Sequence, residues 1–121
     1  MSKPMFSEGS LQKALRSADS HLHYRVLKLF VANLDELSQT LTNTPDSLKQ
    51  WQELATAAHR HKSPAESVGS EQLAATLDEL ENAIDCEQLT DAARILRGLP
   101  GLVDQTKNVI DQKIGLLEQE L

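Results

Sequence analysis

His59, Lys62, Ser63 and Gly69 stand at relative positions 0, +3, +4 and +10 in the stretch Ala57-Ala58-His59-Arg60-His61-Lys62-Ser63-Pro64-Ala65-Glu66-Ser67-Val68-Gly69. On a helix, residues at +3 and +4 share a face with the first. A neutral imidazole keeps a lone pair at physiological pH, because its reference pKa is about 6.5. It can attack phosphorus, and the ammonium of Lys62 can stabilise the negative charge of the phosphoryl group. Phosphoryl transfer asks mainly for alignment and charge neutralisation. One nucleophile and one cation therefore form a sufficient local kit when a partner brings Mg²⁺ and an aspartate. The small Ser63 leaves room for that partner, and its hydroxyl can donate to a phosphoryl oxygen.

Helices must carry this kit. The chain has 121 residues, enough for one compact domain, and aromatics make up only 3% of it, so the core must be leucine and alanine. A loose leader is expected over residues 1–9, followed by a bundle domain over residues 10–121. Leu11, Ala14, Leu15 and Ala18 suggest a short helix that covers one end. A long helix is predicted from about His21 to Thr42, with the stripe Leu22, Val26, Leu27, Phe30, Leu34, Leu37 and Leu41.

Thr44-Pro45-Asp46 reads as the start of the next helix, with Thr44 as its cap. That helix carries Leu48, Trp51, Leu54, Ala55, Ala58, Ala65 and Val68 inward. Gly69 can stop it, and Ser70 can cap the following helix of Leu73, Ala74, Leu77, Leu80 and Ile84. Asp85 and Gln88 have capping-box spacing before a last helical region. Gly98-Leu99-Pro100-Gly101 should kink or split that region. The expected fold is all-α: an antiparallel up-down-up-down four-helix bundle with a short N-terminal capping helix.

The inward stripe passes through His61, so His59 should point beside the core, toward solvent. The phosphoacceptor stretch now resembles histidine-containing phosphotransfer (HPt) domains of bacterial multistep phosphorelays. Their pattern is His-x-Leu/Phe-Lys-Gly/Ser with a Gly at +10, matched here by His59, Lys62, Ser63 and Gly69. The flanks Ala57-Ala58, Leu73 and Leu77-Asp78-Glu79-Leu80-Glu81 are also similar. The tight resemblance covers about residues 54–81, and the bundle pattern most of the chain.

The resemblance implies a carrier that takes a phosphoryl group from a receiver-domain aspartate and passes it to another response regulator, with no kinase activity of its own. His59 would be the phosphoacceptor, Lys62 the phosphate-side cation and Ser63 the small residue that admits the receiver. Arg60 and Ser67 would join the partner footprint. Receiver domains are the expected partners, with a hybrid sensor kinase as a further one. Mg²⁺ is expected on the receiver, and no cofactor on this chain. A monomer in the cytoplasm is the expected state. The alternative is a helical interaction module that binds a kinase or receiver without accepting phosphate.

Three departures from the pattern carry consequences. His61 stands where Leu or Phe is usual, on the core side. Pro64 should bend the helix just past the site. Glu66 lies where it could pair with Lys62 and compete with phosphate.

Other chemistries find little support. The net charge of −6 argues against nucleic acid as a partner. No run of 18 apolar residues exists to span a membrane, and no apolar secretion-signal core is visible. His59 and His61, like His21 and His23, are two apart and face away from each other on a helix, so no metal site is expected. No phosphate-cradling glycine loop is present for a nucleotide. Trp51 reads as packing. Cys86 lies between acidic neighbours, which disfavours a reactive thiolate. Asp78-Glu79 and Glu81 read as a solvated face.

Overall fold

The computed structural model describes residues 3–121, and among them every regular element is helical. The order is α1 (Glu8–Leu15), α2 (Ser20–Thr40), α3 (Leu48–Ser67), α4 (Glu71–Asp85) and α5 (Leu89–Glu120). α3 packs against α2 and α4, and α5 packs against α4 and α2, so the four long helices close a ring. α1 lies against α3 with Leu11 fully buried, and its Glu8 pairs with Lys113 of α5. Among the described residues, no helix is long and apolar enough to cross a membrane.

Side-chain pairs give the polarity of neighbouring helices. Ser20 bonds Glu120, Tyr24 bonds Glu118 and Lys107 bonds Asp35, so α2 and α5 run in opposite directions. His59 bonds Glu81 and Lys62 bonds Asp78, so α3 and α4 also run oppositely. Most of the predicted stripe residues fill the core, but Leu48, expected inward, is exposed at the start of α3, and Leu22 and Val26 are only half-buried. Leu27, Leu34, Leu37, Leu73, Leu77, Leu80, Leu99 and Ile110 are all fully buried or nearly so. Trp51 is buried with them, as its place on the stripe requires.

Four further expectations are corrected. The start of α3 is set by Ser47, not Thr44. Ser47 Oγ accepts the Gln50 N–H at 3.2 Å, while Gln50 Oε1 accepts the Asp46 N–H at 2.8 Å. Ser47 and Gln50 are thus a near capping box, and Thr44, which precedes Pro45, is biased away from helical backbone. At the other end of α4 no box forms between Asp85 and Gln88. Glu87 takes a left-handed backbone (φ +58°), and the N–H groups of Glu87 and Gln88 return to the carbonyls of Ile84 and Ala83. That is a helix stop of the Schellman type.

The third is the split expected of α5, which is instead one unbroken helical span with Pro100 inside it. Leu96, Leu99 and Val103 are all buried. Their burial holds the backbone helical across Gly98 to Gly101 despite the missing Pro100 N–H. The fourth is the cap of α4, which the N-terminal segment displaces. Residues 1–2 of the expected leader lie outside the described residues, but the rest of it is tied down. Pro4 accepts the Gln72 N–H at 3.0 Å, the Ser7 N–H reaches the Val68 carbonyl at 3.3 Å, and Phe6 packs on the core. Ser7 caps α1 through the Ser10 N–H. Ser70, at the start of α4, makes no cap bond, because Pro4 occupies the Gln72 N–H that a cap would take.

Gly69 makes this docking possible. It ends α3 with φ +77°, and the N–H groups of Gly69 and Ser70 return to Glu66 and Ala65. A Cβ added here would lie 2.5 Å from the Ser7 backbone nitrogen. Both the left-handed backbone and the close approach require glycine. Gly69→Ala should therefore cost about 2–3 kcal/mol and release the N-terminal segment. Urea unfolding reads the first effect. Faster hydrogen exchange at the Ser7 and Gln72 amides reads the second, and unchanged exchange would show that the segment does not depend on Gly69.

Candidate functional site

The site lies in the seam between α3 and α4. Alanines at 55, 58 and 65 on α3 and at 74 and 83 on α4 are all buried. Their small side chains keep the helices near enough for longer groups at the edge of the seam to meet. His59 stands at that edge with its side chain 72% exposed. Its Nδ1 lies 2.9 Å from Glu81 Oε2 and 3.3 Å from Oε1. Glu81 is only 14% exposed. Lys62 Nζ donates to Asp78 Oδ1 at 2.8 Å and to Glu81 Oε1 at 3.4 Å. Glu81 thus bridges the imidazole and the ammonium.

An ionised carboxylate can only accept, so the ring nitrogen facing Glu81 must carry the proton. Nε2 is then the lone-pair nitrogen, on a side chain that is largely exposed. The hydrogen bond to Asp78, with a smaller contribution from Glu81, raises the Lys62 ammonium above the ordinary lysine range. The same bond to Lys62 holds the Asp78 carboxyl below its ordinary value. The cation stays charged, and in this arrangement it is engaged with two carboxylates.

Glu81 and Asp78 are the residues that sequence reasoning missed. The row 78, 81, 85 lies beside the buried row 77, 80, 84 on α4, and alone it looks like any solvated face. The available signal is the i,i+3 carboxylate pair one row from the core, opposite a His-x-x-Lys pair. Glu66 does not pair with Lys62 as expected. It lines the same cavity, but the ammonium's partners are on α4.

Ser63, Arg60 and Ser67 are exposed and spaced to form one strip beside His59. α3 continues through half-buried Pro64 to Ser67. His61 is on the core side as expected, 8% exposed. Among the described residues no metal-binding cluster occurs. Residues 25–110 match the Hpt domain family. This chain belongs to that family. The match takes in most of α2, all of α3 and α4 and α5 as far as Ile110. Neither the curated proteins nor the solved structures provide a match. Hpt domains work with receiver domains in phosphorelays, which gives this chain a phosphotransfer-related role.

Within this Hpt domain His61 has a testable cost. Burial first, then the charge of Arg60, pushes its pKa below 6.5, against a smaller opposite pull from Glu36. The unfolded chain therefore binds a proton that the folded chain resists. Stability is highest above about pH 6.5 and falls as pH drops through the window below it. His61→Leu should gain on the order of 1 kcal/mol at neutral pH and flatten that acid-side loss. Urea midpoints from pH 8 to pH 5, on the order of three units, will show it. A parallel pH slope in both proteins would place the acid sensitivity elsewhere.

Proposed function

We propose that this Hpt domain accepts a phosphoryl group on Nε2 of His59 from a receiver aspartyl phosphate and passes it to a second receiver. The observation that carries the reading is the His59 Nδ1 contact to Glu81 at 2.9 Å. It presents the other nitrogen, with its lone pair, at a largely exposed position. In the forward step the Nε2 lone pair attacks phosphorus. The bond from phosphorus to the acyl oxygen breaks, and the receiver's carboxylate leaves with its electron pair. The ring becomes cationic while Nδ1 keeps its proton, and Glu81 stabilises that charge. Lys62 turns toward the phosphoryl oxygens. The receiver's Mg²⁺ supplies charge neutralisation on the donor side. Return of the group to another aspartate reverses each step.

The chain is a carrier in this scheme, without kinase activity, and it works as a monomer in an up-down-up-down bundle. Ser63, with Arg60 and Ser67 beside it, forms the approach for the receiver. Incubation with phosphorylated receivers, followed by mapping of the label, tests the reading. An acid-labile, alkali-stable label on the peptide containing His59 is expected. A label on another residue would refute the assignment.

One observation favours the second reading, a module that docks without accepting phosphate. Lys62 is already held by Asp78 and Glu81. That reading predicts receiver binding with no label from any donor.

A further inference from the structure

The segment Lys3 to Ser7 is fixed across the α3–α4 junction by its bonds to Gln72 and Val68. Pinned at Pro4, it leaves Lys3 at the wall of a cavity of about 590 Å³. Lys62, Asp78, Glu66, Glu71 and Glu79 line the same cavity. Carboxylates thus outnumber cations around the site, and a phosphoryl group adds about two further negative charges.

Lys62 is shared between Asp78 at 2.8 Å and Glu81 at 3.4 Å, and a phosphoryl group competes with both for its three N–H donors. As Lys62 turns to the phosphoryl group, Asp78 loses much of its countercharge. Lys3 is the other cation of this cavity among the described residues. We propose that Lys3 is a positioning residue of the phosphotransfer site, holding Asp78 when Lys62 turns to the phosphoryl group on His59. The inference rests on the relay reading and deepens it. The charge of Lys3 already adds, as the smallest influence after Lys62 and the Asn82 hydrogen bond, to keeping the Asp78 carboxyl low. Its flexible stem lets the ammonium follow the carboxylate, while the pinned backbone keeps it close at all times. This gives the docked N-terminus a purpose beyond covering the core.

The test uses the full chain and phosphoramidate, whose P–N bond breaks to release ammonia as His59 Nε2 bonds to phosphorus. Lys3→Ala should slow labelling about two- to fivefold, the range of one exposed ion pair. Lys3→Arg should restore the rate. In an Asp78→Asn background Lys3→Ala should have no further effect. An NMR titration should find the Asp78 midpoint raised in Lys3→Ala, with hydrogen-exchange protection at Gln72 unchanged. Wild-type rates in Lys3→Ala, or an equal slowing with and without Asp78, would overturn the role of Lys3 and leave the relay intact. A wild-type chain that takes no label from phosphoramidate or from phosphorylated receivers would overturn the relay reading itself, and with it this one.

Discussion

Replacing His59 with glutamine is expected to abolish phosphoryl acceptance and leave the fold in place. The amide nitrogen of glutamine has its lone pair delocalised and cannot attack phosphorus, whereas Nε2 of the imidazole can. The side chain at 59 is largely exposed, and Glu81 keeps its contact to Lys62 when the ring is gone. Melting and helicity should therefore move little, by under about 0.5 kcal/mol, as for most surface substitutions. Labelling from phosphorylated receivers and from phosphoramidate should both disappear. The neighbouring His61 offers no substitute, because its ring is buried on the core side of α3. His61→Leu should accordingly keep full labelling. A His59→Gln chain that still takes the label, or a His61→Leu chain that loses it, would show that the two histidines have been given each other's roles.

The helices were legible because each carries its own apolar row. Leu73, Leu77, Leu80 and Ile84 need no knowledge of α3 to be recognised as one buried edge of α4. His59 and Lys62 were legible for the same reason, since one turn of a single helix brings them together. Glu81 was not, because its role depends on the register between two helices, and periodicity within either one does not contain that register. Its carboxylate is three-dimensional information written in an ordinary solvated-face pattern. The N-terminal segment escaped for a related reason. Pro4 and Ser7 look like loop residues, and only the glycine at 69, read first as a helix stop, reveals that another backbone must pass within van der Waals range. In α5 the local signals at Gly98 and Pro100 were real but outweighed. Helix breakers act locally, and the continuous burial of Leu96, Leu99 and Val103 against the bundle overrides them.

Glu81→Gln should reduce phosphoryl acceptance about a hundredfold, although the substitution changes no volume and leaves His59 in place. The argument turns on which end of the amide faces which neighbour. Glu81 Oε1 lies within reach of both Lys62 and His59, while Oε2 contacts His59 alone. The Lys62 ammonium can only donate, so it will draw the amide oxygen to the Oε1 position. The amide NH₂ is then turned to Nδ1 and donates to it. Nδ1 becomes the acceptor, and the ring proton moves to Nε2. The exposed nitrogen thereby loses its lone pair, and the cationic ring formed on phosphorylation loses the carboxylate that stabilises it. One opposing effect exists, since removing a negative charge reduces repulsion of the incoming phosphoryl group. That gain acts through an exposed, solvent-screened distance, whereas the tautomer change acts on the attacking atom itself, so the loss should dominate. Nitrogen-15 NMR of the imidazole reads the tautomer directly, and labelling rates read its consequence. An unchanged tautomer together with a wild-type rate would remove Glu81 from the mechanism and leave Lys62 as the only group that tunes the nucleophile.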